Sequence, residues 1–281
     1  SSGRLQKIPA SRVVDIATTW PDEKALADEA FDGGDWQQAA ALYAKANGGE
    51  KRNWARRMLL TRLMQCLNTL GRDEQAGELF VALTASDPYT PAWDFAPLCW
   101  SGETSVSQAK AATWLAAQGQ SGAVLLGASH ALASPVLVEA RQALLRLTQE
   151  DDRSSPIAEL AEAQLWRTRL TSVHVEQVDA WARRADQFDD AAGAAAHFLL
   201  GQAYQRLQRP DLAVLHYLRL PLLFPEQNRP LAARSLDAAA RLLASSGRQE
   251  ESERLIGELI DAYPESLEAA AKLSDRYITD R

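Results

Sequence analysis

The chain has few of the residue types that build metal, disulfide and thiol sites. Its 281 residues include two cysteines, Cys66 and Cys99, and four histidines. Two cysteines exclude a disulfide framework or a cysteine-based metal cluster, and each is interpreted as a small buried hydrophobe. No two histidines stand three or four positions apart, the spacing that would place two metal ligands on one helix face. We therefore predict no metal, no cofactor and no functional thiol.

Motifs of common catalytic sites are missing as well. The glycine pairs at residues 33–34 and 48–49 are not followed by the Lys-Ser/Thr pair of a phosphate-binding loop. No Gly-x-Ser-x-Gly nucleophile motif occurs. Adjacent acidic residues are interpreted as solvated surface charge, because general acid–base pairs must converge in a cleft. These absences predict a protein that is not an enzyme.

Long apolar runs and an excess of basic charge are also lacking. No apolar run approaches the ~20 residues that span a bilayer. The formal net charge is −7, which argues against a nucleic-acid backbone or an anionic membrane surface as the main partner. A hydrophobic content of 46% with 24% charged residues is instead typical of a globular protein. We predict a protein or peptide partner, no nucleic acid and no membrane span.

The pattern that is present is a helix-turn-helix spacing, clearest in residues 198–225. Gly201 and Tyr204 fall on a first helix, and Ala213 and Tyr217 fall on a second. This spacing resembles the tetratricopeptide repeat, a unit of roughly 34 residues that stacks into solenoids. The resemblance implies that the two small residues lie where the helices cross, with the tyrosines filling the space beside them.

Three further stretches show a related spacing, at residues 34–46, 53–88 and 230–264. Gly34 and Gly71 stand 37 positions apart, slightly more than the usual repeat length. The C-terminal units resemble the long-period repeats of bacterial envelope proteins. This second resemblance implies a location in the periplasm or cell envelope.

The remaining segments match the repeat less well. Residues 89–190 have helical periodicity without the repeat signature, and within them residues 91–105 are the best candidate for a flexible or inserted segment. Apolar residues around a turn signal near the N-terminus predict a short hairpin or strap. The predicted organisation is residues 1–19 as a β-like segment, 20–88 as two repeats, 89–190 as degenerate helical repeats, and 191–281 as two repeats with a capping helix.

The predicted fold is all-α, a right-handed α-solenoid of stacked antiparallel helical hairpins. Proteins with this repeat usually bind along the concave surface that the first helix of each pair lines. Carried onto this chain, the resemblance implies a binding groove with the polar residues Lys24, Asp28, Thr61, Gln65, Asn68, Gln202, Gln205, Arg206, Arg234, Asp237 and Arg241.

The charge of this groove predicts the character of its ligand. In its C-terminal part, Arg206, Arg234 and Arg241 are opposed only by Asp237, which favours a peptide of acidic character. A second basic segment, residues 51–62, is either an anion-binding stripe or, as we favour, an ordinary exposed face. The family's carboxylate clamp for chaperone tails is not reproduced in this chain.

The hypothesis from sequence is a non-enzymatic protein–protein interaction scaffold that binds a peptide or protein along a concave helical groove. The alternative is a helical regulatory or substrate-recognition region of a larger enzyme whose catalytic part lies outside these residues. Sequence upstream of Ser1 would distinguish the two, because it would encode either a signal peptide with a small β module or a catalytic domain.

Overall fold

The computed structural model describes residues 18–132, 137–149, 156–225 and 227–279. Within these ranges the chain forms fourteen α-helices and two short 3-10 turns, and no strand. The all-α prediction is confirmed, while the handedness of the stack stays a prediction. The β-like segment predicted for residues 1–19 falls almost entirely outside the described residues.

The helices are α1 (Asp22–Asp32), α2 (Trp36–Gly49), α3 (Asn53–Thr69), α4 (Asp73–Ser86), α5 (Gln108–Leu115), α6 (Ser121–Ala131), α7 (Leu137–Leu147), α8 (Ile157–Arg167), α9 (Val175–Ala185), α10 (Asp190–Arg206), α11 (Pro210–Leu223), α12 (Arg229–Ser245), α13 (Gln249–Ala262) and α14 (Leu267–Thr279).

Most helices pack against the helix that precedes or follows them in the chain, as in an α-solenoid. The hydrophobic core is continuous across the predicted degenerate region, since one cluster of contacting buried side chains extends from Met64 to Leu243. Two smaller clusters lie at the ends of the stack, one around α1 and α2 and one around α12, α13 and α14. No helix of the described ranges combines the length and the apolar character that crossing a bilayer requires.

Four hairpins share one turn geometry, and in three of them a glycine occupies the left-handed position. In the turns after α1, α3 and α12, Gly34, Gly71 and Gly247 have φ values of 77°, 67° and 78°. In each turn the next backbone N–H donates to a carbonyl of the preceding helix, for example from Asp35 to Ala30 at 2.8 Å. Glycine adopts this left-handed backbone without the steric cost that a Cβ adds.

The turn after α10 has the same geometry but no glycine. Gln208 occupies the equivalent position with a φ of 57°, and the following Arg209 N–H donates to the Tyr204 carbonyl at 2.9 Å. Because a side chain in this conformation costs about 1 kcal/mol or more, the hairpin 198–225 contains a position of local backbone strain.

Replacing this glutamine with glycine should therefore stabilise the protein. We expect Gln208→Gly to raise the free energy of unfolding by about 1 kcal/mol. Gly71→Ala, the reverse change in the turn after α3, should lower it by a similar amount. Urea denaturation of both variants tests this, and equal stabilities would show that the turn geometry is misassigned.

The crossing of α10 and α11 depends on Gly201. A Cβ built on Gly201 would lie 2.6 Å from ring carbons of Tyr217, so the ring packs directly on the helix backbone. A tighter crossing joins α5 and α6, where a Cβ on Gly127 would lie 2.3 Å from the Leu115 backbone nitrogen. The repeat resemblance identified the first of these crossings and missed the second, because Gly127 lies outside any recognised repeat.

Adding a methyl group at the α10–α11 crossing should cost stability. We expect Gly201→Ala to lower the free energy of unfolding by about 1–3 kcal/mol through overpacking against Tyr217. The matched control is Gly257→Ala in α13, where a Cβ would have no atom within 4 Å. That control should stabilise by about 0.5–1 kcal/mol, since alanine is the better helix former. Thermal melts that moved in the same direction for both variants would contradict this packing.

The segment after α4 is part of the core. Residues Pro91–Phe95 form a 3-10 turn, and every residue from 96 to 100 is buried. Side chains of α6 and α8 pair with its backbone: the Arg167 guanidinium donates to the Cys99 carbonyl at 2.7 Å, and a ring nitrogen of His130 lies 3.0 Å from the Pro97 carbonyl oxygen. Residues 96–100 are thus packed in the core with these polar backbone groups paired. This argues against the flexible alternative predicted for residues 91–105, while the inserted alternative stays a prediction.

The two ends of the stack contact each other. α3 contacts α12, and the Arg229 guanidinium lies 5.0 Å from the Trp36 ring centroid and 4.8 Å from that of Tyr263. A purely open solenoid would keep helices so distant in the chain apart. The two larger openings of the described chain have no lining residue in common.

Candidate functional site

The larger opening, which we call the N-terminal cleft, lies between α1, α3 and the 3-10 turn Pro91–Phe95. Its volume is about 560 Å³. Its apolar lining includes Phe31, Trp54, Met58 and Phe95. Met58 is 48% exposed, so this helix presents a large apolar side chain to solvent within the cleft.

Most charged side chains of the cleft are already paired. Lys24 forms an ion pair with Asp28, and Asp28 also accepts a 2.7 Å hydrogen bond from the Tyr43 hydroxyl. Burial and the neighbouring Asp28 raise the pKa of Tyr43, so this phenol stays protonated and donates. Across the cleft, Arg57 lies 3.3 Å from Asp87. These pairs leave the two walls near electrical neutrality.

Arg62 and Gln65 keep unused hydrogen-bond donors. The Arg62 guanidinium lies 4.6 Å from the Phe31 ring centroid and donates one 3.2 Å hydrogen bond to Gln65 Oε1. Among the described residues, no carboxylate lies within 4.0 Å of Arg62, and Gln65 Nε2 donates to no acceptor. Gln65 is 7% exposed, but its Nε2 is not among the fully buried side-chain atoms without a partner, so solvent reaches this donor and a ligand in the cleft can bind it.

The smaller opening, the central cavity, lies where the two ends of the stack meet. Its volume is about 340 Å³, and it is lined by the α3–α4 turn, residues 97–104 and the first turns of α12 and α14. Arg229 pairs with Glu265 at 2.9 Å, and Arg234 pairs with Glu268 at 3.3 Å. Because these ion pairs join helices across the cavity wall, we interpret them as structural.

The polar residues predicted to line one groove are divided among three places. Four of them line the N-terminal cleft together: Lys24, Asp28, Thr61 and Gln65. Two line the central cavity: Asn68 and Arg234. The other five lie outside both openings: Gln202, Gln205, Arg206, Asp237 and Arg241. The structure thus brings together the N-terminal part of the predicted groove and separates it from the C-terminal part.

The charged side chains of the C-terminal set are paired with each other and with α14 in the structure. Asp237 is 6% exposed and lies between Arg241, at 2.6 Å, and Lys272, at 3.1 Å. Arg234 is neutralised by Glu268. Helix α14 packs on α12 and contributes Lys272 and Glu268, whose opposite charges cancel. The excess of arginine over aspartate in this set is therefore unchanged, and its preference for an acidic peptide stays a prediction.

A buried histidine pair was missed by the sequence reasoning. His197 on α10 and His216 on α11 are both buried, with their Nδ1 atoms 3.2 Å apart. The Tyr204 ring stacks on His216 at a centroid distance of 5.3 Å. The packing of the hairpin offered a signal for this pair. Gly201 packs against Tyr217, His197 lies one helical turn before Gly201, and His216 directly precedes Tyr217.

Burial holds both histidines neutral. It lowers the pKa of His197 to about 4, with a further contribution from Arg219 that Asp186 partly opposes. Burial, His197 and Arg219 together lower the pKa of His216 to about 3. A histidine in the unfolded chain titrates near pH ~6.5. Below that pH the unfolded state binds protons that the folded pair does not accept.

The stability of the protein should consequently fall as the pH is lowered from about 6.5 towards 4. Each histidine contributes about 1.4 kcal/mol per pH unit in this window, and the contribution vanishes above it, where both states are neutral. We expect His216→Gln to make the pH dependence of the unfolding free energy shallower. Urea denaturation at pH 7, 6, 5 and 4.5 measures this slope.

The control is His174→Gln, which removes an exposed histidine outside the pair. An equal reduction of the slope by both substitutions would contradict the assignment to the buried pair. Comparing variants at each pH cancels the contribution of the carboxylates that remain in all three proteins.

No protein-family model matches this chain, and neither a curated protein nor a solved structure does. Of the two openings, the N-terminal cleft is the larger, has the more apolar lining and holds hydrogen-bond donors without a partner in the described chain.

Proposed function

We propose that this protein is a non-enzymatic interaction scaffold that binds a peptide segment of a partner protein in the N-terminal cleft. The observation that carries the proposal is an apolar cleft of about 560 Å³ with a half-exposed Met58 and the unused donors of Arg62 and Gln65. Pockets of roughly 300–1,000 Å³ with an apolar lining and few polar groups are typical of ligand sites.

The scaffold is well suited to binding with little rearrangement. Phe31 packs edge-on against Trp36 at a centroid distance of 4.9 Å, and Tyr43 is fixed by its hydrogen bond to Asp28. Rigid walls lower the entropic cost of binding because few side chains must be ordered by the ligand. Met58 supplies an adaptable contact, since its unbranched side chain fits apolar groups of different shape.

The tetratricopeptide resemblance supports the same proposal from the sequence side. The hairpins α1–α2 and α3–α4 that form the cleft correspond to the two repeats predicted for residues 20–88. A position in the bacterial cell envelope stays a prediction from the resemblance of the C-terminal units.

A peptide selection with a blocked variant tests the proposal. A random twelve-residue library displayed on phage would be selected on the wild-type chain and on Met58→Arg, which places a long charged side chain in the cleft. We expect enriched peptides that bind the wild type and lose at least tenfold in affinity for Met58→Arg, because the apolar contact is lost.

The matched control is Leu215→Arg on α11, where a leucine of similar exposure, 50%, lies outside the cleft. This variant should bind the selected peptides like the wild type. Peptides that bound Met58→Arg as tightly as the wild type would place the binding surface elsewhere, and failure to enrich any peptide would reject the proposed function.

A further inference from the structure

We infer that the N-terminal cleft selects peptides in which a bulky apolar side chain lies next to a single carboxylate group. The inference rests on the proposed function and defines the class of ligand that this cleft recognises. It is drawn from the arrangement of one face of α3 and from the pairing of the surrounding charges.

The apolar part of the ligand is defined by the position of Met58. Met58 and Arg62 stand four residues apart on α3, so their side chains lie next to each other on one face of the helix. Phe31 extends this surface, since its ring contacts the Arg62 guanidinium. A ligand side chain that covers Met58 is therefore within reach of Arg62.

The carboxylate is defined by the donors that remain unused. A guanidinium has five N–H donors, and within the described chain Arg62 uses one of them, for Gln65. The free amide donor of Gln65 lies one helical turn further along the same face. A carboxylate accepts several such hydrogen bonds at once, and charge-assisted bonds of this kind are the strong ones.

A single carboxylate fits this cleft better than an acidic run. The other cations, Lys24 and Arg57, are already paired with Asp28 and Asp87. Asp32 adds an exposed carboxylate to the lining, and no basic side chain lies within 4.0 Å of it among the residues that the structure describes. Further acidic groups in the ligand would meet this charge and be repelled.

The experiment uses a peptide selected on the wild-type chain and its Glu→Gln or Asp→Asn analogue. Their dissociation constants would be measured by fluorescence anisotropy for the wild type, Arg62→Gln and the control Arg183→Gln on α9. We expect the neutral analogue to bind the wild type about tenfold more weakly than the acidic peptide does. The acidic peptide should in turn bind Arg62→Gln about tenfold more weakly than it binds the wild type. In Arg62→Gln the two peptides should bind equally, and Arg183→Gln should behave like the wild type.

The outcomes separate this inference from the proposed function. Peptides that depend on Met58 but show no enrichment of Asp or Glu would overturn the inference and leave the binding function intact. An acidic peptide and analogue that differ as much in Arg62→Gln as in the wild type would likewise overturn the inference alone. Circular-dichroism melts of both arginine variants verify that these exposed substitutions leave the fold unchanged.

Discussion

Arg229 joins the two ends of the helical stack, and the shape of the inner surface depends on this contact. Its guanidinium lies against Trp36 from the first hairpin and Tyr263 from the last, and it is held by Glu265 and by the carbonyl of Ala262. Cation–π contacts of this kind are strengthened when the cation is desolvated and fixed by hydrogen bonds. Near this contact lie two openings that share no lining residue, so the residues predicted for one groove do not all lie together.

This closure gives the two openings different chemical character. In the central cavity, arginines and glutamates from α12, the α13–α14 turn and α14 neutralise each other across the junction, as Arg229 does with Glu265. In the N-terminal cleft the walls are apolar, and Arg62 has no acidic partner in the described chain. A polar surface whose charges are satisfied internally offers little to a ligand, whereas an apolar surface with unused donors gains from being covered. The two openings therefore differ in the chemical character that they present to a ligand.

The core contains polar networks that are structural. Arg167, Gln164 and Ser129 bond to the backbone of Cys99, which allows a non-helical segment to run through the interior. Burial lowers the pKa of His130 beside this segment, so that histidine remains neutral and its ring nitrogen stays close to the Pro97 carbonyl oxygen. Between α10 and α11, the buried side chains of His197 and His216 pair with each other. These groups occupy the positions where helix periodicity alone would have placed apolar residues.

The sequence by itself determined the helices, the hairpin turns and the crossing at Gly201, because each depends on residues close together in the chain. Apolar periodicity indicates the buried face of a helix, and a glycine between two helices indicates a left-handed backbone at its own position. The resemblance to the repeat placed Lys24, Asp28, Thr61 and Gln65 on two adjacent hairpins, and the four side chains line one opening in the structure; their part in binding stays a prediction. Only the tertiary structure decided the contact of α3 with α12, the pairing of Arg234 and Asp237 with α14, and the separation of the predicted groove residues. Those features arise from residues distant in sequence, whose meeting depends on the accumulated rotation of every hairpin between them.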